Sequence, residues 1–81
     1  MKVTVKYFGS VKDESGTEEE YLDLESGITV ADAISSVKER HNALRERKGQ
    51  ILFALNQNYT SDDAILKEGD ELALFPVVSG G

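Results

Sequence analysis

Eighty-one residues make one small domain and leave no room for a second core. Hydrophobic content of 40% with 30% charged residues is a globular balance, too apolar for a disordered chain. A formal net charge of −6 argues against nucleic-acid binding, which needs clustered Lys and Arg to neutralise phosphate, and suits steering toward a basic partner surface.

At the start, Val3, Val5 and Tyr7 fall on one parity and Lys2, Thr4, Lys6 and Phe8 on the other, which predicts a half-buried strand over residues 2–8. Residues 9–16 are polar with Val11 as an apolar anchor and read as a loop with a helical turn. A second strand over 18–25 places Leu22 and Leu24 on one face, opposite Tyr21, Asp23 and Glu25, and pairs with the first as a hairpin. The acidic run Glu18-Glu19-Glu20 reads as a solvated strand start rather than a site.

After the Ser26-Gly27 turn, Thr29 is expected to cap a helix, with the Asp32 carboxylate at the third helical position favouring the positive end of the dipole. Val30, Ala33, Ile34, Val37, His41 and Leu44 then recur at helical spacing, with Ser35, Ser36, Lys38, Glu39 and Arg40 facing away. This predicts one amphipathic helix ending before Arg45-Glu46-Arg47-Lys48, with Gly49 as a stop.

Ile51–Leu55 is apolar on both parities, as in a central strand covered on both faces or one with an unusual outer face. Asn56-Gln57-Asn58 supplies turn chemistry, Tyr59 opens a short return strand, and Ile65-Leu66 serve as apolar plugs. Gly69 suits a turn, and Glu71–Phe75 is the last strand, with Leu72 and Leu74 inward. The succession predicts an α+β fold, a mixed four- or five-stranded sheet with one main helix on one face, in the ubiquitin-like β-grasp pattern. Residues 1–76 form that domain, and 77–81 form a flexible C-terminal tail.

Ordinary catalytic constellations are missing. The chain has no cysteine for thiolate chemistry, and its one histidine, His41, sits on an apolar stripe as a partly buried packing residue. Asp62-Asp63 lacks the spacing of a calcium loop, and no bound metal is expected. No run has the apolar length of a signal peptide or membrane span, which predicts a cytoplasmic protein without a membrane partner.

The end of the chain is different. Pro76 lacks an N–H and marks where the sheet stops. Beyond it come Val77-Val78-Ser79-Gly80-Gly81, whose two terminal glycines have no side chains, so the carboxylate can pass through a channel too narrow for a Cβ and is expected to be the reactive group. Phe8 and Phe75 share the parity facing away from the helix and outline an apolar docking patch near the root of that tail.

These features resemble a known family. Ala54-Leu55-Asn56-Gln57, then Leu66-Lys67-Glu68-Gly69-Asp70-Glu71-Leu72-Ala73-Leu74-Phe75-Pro76-Val77-Val78-Ser79-Gly80-Gly81, and the opening Val5-Lys6-Tyr7-Phe8-Gly9-Ser10-Val11-Lys12, are similar to the small, sulfur-carrier subunit of molybdopterin synthase. The resemblance covers nearly the whole chain, with Val77 where a second tail proline is usual and Lys12 where an arginine is common. It implies that an ATP-dependent, E1-like activating enzyme adenylates the Gly81 carboxylate and that sulfur transfer then makes a thiocarboxylate. The tail would donate that sulfur, inside the large synthase subunit of a heterotetramer, to cyclic pyranopterin monophosphate to form the molybdopterin dithiolene. It further implies that Phe8, Tyr59 and Phe75 bind partners, that this chain binds no cofactor while the activating enzyme uses ATP, and that the chain is non-catalytic alone. Alternatives are a ubiquitin-like modifier joined through Gly81 to lysines, a thiamine-pathway sulfur carrier, and a passive β-grasp interaction domain.

Overall fold

The computed structural model describes residues 1–77. Chain order is β1 (Lys2–Tyr7), α1 (Gly9–Ser15), β2 (Glu19–Asp23), α2 (Val30–Arg40), α3 (Asn42–Arg45), β3 (Ile51–Leu55) and β4 (Glu71–Pro76). The four strands form one sheet in the order β2-β1-β4-β3. β1 pairs antiparallel with β2, in register Val3↔Leu22, and parallel with β4, in register Val5↔Leu72, while β3 pairs antiparallel with β4 through Phe53↔Leu74. A mixed sheet with the first and last strands side by side at its centre is the β-grasp arrangement.

The alternation read from sequence builds the core directly. Val3, Val5 and Tyr7 of β1, Leu22 of β2 and Leu72 and Leu74 of β4 are buried on one face of the sheet. They form one cluster with Val30, Ala33 and Val37 of α2, Leu44 of α3, Val11 of α1 and Leu66. A fully buried Leu or Val side chain contributes about 1.5–3 kcal/mol, so the ten such groups in this cluster, with Tyr7 and Ala33, carry most of the stability of so small a domain.

α2 starts where its sequence says. The hydroxyl of Thr29 accepts from the Asp32 N–H at 3.2 Å, and the Asp32 carboxylate accepts from the Thr29 N–H at 3.2 Å, a reciprocal capping box.

Several expectations are corrected. Residues 9–15 form a helix, α1, not a loop: Val11 and Ser15, four positions apart, are its buried face, a stripe too narrow to read as amphipathic. The main helix stops at Arg40 rather than running to the basic stretch. His41 is extended (φ −129°, ψ 101°), and α3 restarts beyond it, which sends Leu44 into the core and the His41 ring toward the sheet. β3 is an edge strand, not a central one, and all of its residues are half-buried. Its double-sided apolarity marks an unusual outer face. Tyr59 opens no strand; the chain turns through Asn56 and Gln57, both at positive φ, into an isolated bridge between Leu55 and Asn58. Leu66 is a core plug, whereas Ile65 is 58% exposed.

Candidate functional site: the open sheet face and the root of the tail

The face of the sheet away from the helices is apolar on one side. In the β3–β4 pair, Leu52 stands opposite Phe75 and Ala54 opposite Ala73. Phe8 follows directly on β1, and its N–H donates to the Leu74 carbonyl at 3.0 Å, which continues the parallel pairing and sets Phe8 on the strand beside Phe75. Tyr59 meets the Phe75 ring edge-on, with centroids 6.4 Å apart. The three aromatics expected to bind partners thus gather on one side of the sheet. Phe8 is 48% exposed, Tyr59 is 82% exposed, and Phe75 is half-buried. An ion pair between Lys6 and Glu71 (3.4 Å) gives the patch a polar margin. Leu52 and Ala54 are members that sequence reading missed; the signal was the second apolar parity of Ile51–Leu55.

The tail leaves from this end of β4. Pro76 closes the strand opposite Ile51, and Val77 is 50% exposed. Val78, Ser79, Gly80 and Gly81, the rest of the expected reactive arm, lie outside the described residues. Gly9 fixes the root from the other side. Its φ is +55°, and a Cβ built there would stand 3.0 Å from Pro76 Cγ and 3.1 Å from Cδ. The start of α1 therefore packs on the proline ring as closely as backbone allows.

Behind the same end of the molecule, Arg47 clasps α1. Its guanidinium pairs with the Glu14 carboxylate and donates to Ser10 Oγ at 3.1 Å, joining the loop after α3 to the helix that touches Pro76.

A second polar cluster lies on the helix side. Glu20 shares parity with Leu22, so its carboxylate enters the core margin rather than water, which corrects the solvated reading of the acidic run for this residue. Tyr7 Oη donates to Glu20 Oε1 at 2.5 Å, His41 Nε2 lies 2.9 Å from the same oxygen, and Arg40 Nη2 lies 3.9 Å from Oε2. His41 is the packing residue expected of it, edge-on to Tyr7 at 5.9 Å. Burial and then the Glu20 hydrogen bond and charge drive the Tyr7 hydroxyl far above its ordinary value. Burial by itself pushes the Glu20 carboxyl up, but the hydrogen bonds from Tyr7 and His41 and the neighbouring charges of His41 and Arg40 together outweigh it, and the carboxyl is held below its usual range. With Tyr7 fully buried, this cluster ties the strands to the helix junction.

The body thus presents an exposed apolar face beside the C-terminal end of β4, where Gly9 packs on the Pro76 ring. The ThiS family matches residues 5–81. This chain belongs to the ThiS family. Within it, the chain is 35% identical over 83 residues to the molybdopterin synthase sulfur carrier subunit of Chlamydomonas reinhardtii, with both chains covered in full. It is also 34% identical to small archaeal modifier protein 1 of Haloferax volcanii, across 94% of this chain and 97% of that one. Among solved structures, SAMP1 from Haloferax volcanii superposes with a TM-score of 0.89 at 29% identity, over the whole of both chains. A chain in the complex of subunits 1 and 2 of the molybdopterin-converting factor from Helicobacter pylori superposes with a TM-score of 0.71 at 27% identity, again over the whole of both. The ubiquitin-like β-grasp fold is common to this ThiS-family chain and these structures.

Proposed function

We propose that this chain is the sulfur carrier of molybdenum cofactor biosynthesis, and that the carboxylate of Gly81 is the atom group that carries the sulfur. The observation that supports the reading most is the full-length likeness to a molybdopterin synthase sulfur carrier subunit, which extends through the glycine pair. The docking partner is then a large synthase subunit, as in the Helicobacter pylori complex of subunits 1 and 2. It meets the face formed by Phe8, Tyr59 and Phe75 and receives Val77 to Gly81 in a narrow channel. Five extended residues reach roughly 17 Å at most, enough to deliver the terminus well inside a partner.

The chemistry follows from the group itself. A main-chain carboxylate, with an ordinary pKa of about 3.5, is anionic and a poor electrophile at neutral pH. Its oxygen attacks the α-phosphorus of ATP held by an E1-like activating enzyme, and pyrophosphate leaves. A sulfide-equivalent donor then adds at the acyl carbon and AMP leaves, giving the thiocarboxylate. In the large subunit that sulfur attacks a side-chain carbon of cyclic pyranopterin monophosphate and displaces the oxygen bonded there; water next cleaves the acyl–sulfur bond, Gly81 regains its carboxylate, and a second loaded carrier supplies the other dithiolene sulfur. Nothing in these steps requires a general acid, base or metal from this chain, and its task is recognition and reach.

Intact-mass measurement after incubation with an activating enzyme, ATP and a sulfur source tests the proposal. The expected product is heavier by the difference between sulfur and oxygen, and deletion of Gly81 removes it while leaving the thermal midpoint unchanged. The 34% identity to small archaeal modifier protein 1 favours one second reading, conjugation through Gly81 to lysines of other proteins. Isopeptide-linked adducts in cells, with no thiocarboxylate under any condition, would make that reading the better one.

A further inference from the structure

β2 ends the sheet on the side away from β3 and β4, and its outer edge is open. The direction of its main-chain groups is fixed by its neighbours. Tyr7 N–H donates to Glu18 O at 2.9 Å and Leu24 N–H to Met1 O at 2.7 Å, so even-numbered residues of this segment address β1. The odd-numbered residues address the other side. Glu19 is already occupied there: its carbonyl accepts from Thr17 Oγ1 at 3.0 Å, and its N–H reaches the same oxygen at 3.4 Å. Among the described residues nothing pairs with the outward N–H and C=O groups of Tyr21 and Asp23. Thr17 thus closes one end of the edge, and a short segment beyond it is left able to form a ladder.

The surroundings of that segment specify an occupant. On the helix side a groove of about 240 Å³ runs between β2 and α2, floored by Leu22 and Leu24 and walled by Ser36, Glu39 and Arg40. On the other side stand Tyr21, 57% exposed, and the carboxylates of Glu19 and Asp23, with exposed Glu25 farther along. The cations nearby already have partners: Lys2 Nζ sits 4.3 Å over the Tyr21 ring, Arg40 lies 3.9 Å from Glu20, and the terminal ammonium is 3.5 Å from Asp23. Acid groups therefore dominate the rim.

We propose that this edge docks a basic, extended segment of a partner protein, which adds to β2 antiparallel or parallel as a new edge strand. Main-chain bonds to Tyr21 and Asp23 hold it. One parity of the segment places apolar side chains on Leu22 and Leu24, and the other places Lys or Arg beside Glu19 and Asp23. β1 separates the Tyr21–Asp23 segment from Phe75 on β4, and of the aromatic patch only Phe8 comes near β2, beside Glu18 and Glu19 at the opposite end of that strand. Both surfaces can be engaged together, which gives a carrier a handle that leaves its tail free.

The test is an NMR titration of the isotope-labelled full chain with a synthetic peptide of alternating lysine and valine. A matching peptide of alternating glutamate and valine is the control. The expected result is a shift and slowed exchange of the Tyr21 and Asp23 amides, with the glutamate peptide weaker by at least about tenfold and the lysine peptide weakened by added salt. Tyr21→Pro removes one outward N–H without touching the ladder to β1 and is expected to weaken binding by about tenfold or more. Should that variant fail to fold, Asp23→Lys tests the same edge through its charge, and it too is expected to weaken the lysine peptide. Shifts confined to Ile51–Leu55 or the aromatic face, equal binding of both peptides, or no binding at millimolar peptide would each overturn the proposal.

Discussion

Replacing Gly9 with alanine puts a methyl group where Pro76 already lies. Two costs arise and can be separated. At φ +55° a side chain meets left-handed strain worth roughly 1–2 kcal/mol, and the new Cβ, at 3.0 and 3.1 Å from the proline ring, adds an overpacking cost of about 1–3 kcal/mol. Gly16, which caps α1 at φ +75°, has nothing within 4 Å of an added Cβ, so Gly16→Ala carries the first cost alone. The difference between the two variants isolates the contact at the tail root. At about 4–8 °C of midpoint per kcal/mol for a domain of this size, Gly9→Ala is expected to melt roughly 4–24 °C below Gly16→Ala. Thermal melts by circular dichroism read this directly. A functional effect should accompany it: at a temperature where both variants are folded, sulfur loading falls in Gly9→Ala only, because the ring that aims the tail has moved. Equal midpoints in the two variants would refute the close contact, and equal loading would refute its role in aiming the tail.

Three more outcomes are expected. Because Glu20 is held below its ordinary value, its contribution is complete above the unfolded value near 4.3 and disappears as pH falls through the lower folded one; Glu20→Gln should flatten that acid limb in a series of melts. Tyr7 is displaced the other way, so its contribution is complete below about 10 and declines as pH rises beyond that, because the unfolded chain ionises while the folded one keeps the proton; Tyr7→Phe should abolish this alkaline loss. Phe75→Ala, at the centre of the aromatic patch, should weaken association with the large subunit by about 2 kcal/mol or more, near thirtyfold, as titration calorimetry would measure, and unchanged affinity would remove the patch from the interface.

What sequence conveyed was whatever rests on a regular period. Alternation along Lys2–Tyr7 and Glu71–Phe75 named the inward residues, and Thr29 with Asp32 marked the start of α2 to the residue. What it withheld depended on tertiary partners. His41 continues an apolar stripe, and the Glu20 carboxylate and Tyr7 ring that its own ring meets where the helix breaks are far off in sequence. Glu20 itself hides in an acidic run, although sharing parity with Leu22 was a usable clue. Central and edge placement of β3 cannot be told from two apolar parities, since a half-buried apolar outer face looks in sequence like a buried one. Gly9 carries no local sign of Pro76, which is distant in sequence and adjacent only once β1 and β4 are paired.

That pairing has a mechanical consequence. β4 lies between β1 and β3 and bonds to both, with its C-terminal end leading straight into the tail. A pull on the tail along the strand direction therefore acts across two ladders whose hydrogen bonds run transverse to it, so they share the load at once instead of opening in succession. Tension on the C-terminus is thus met in shear by both ladders of β4 before it reaches the rest of the domain.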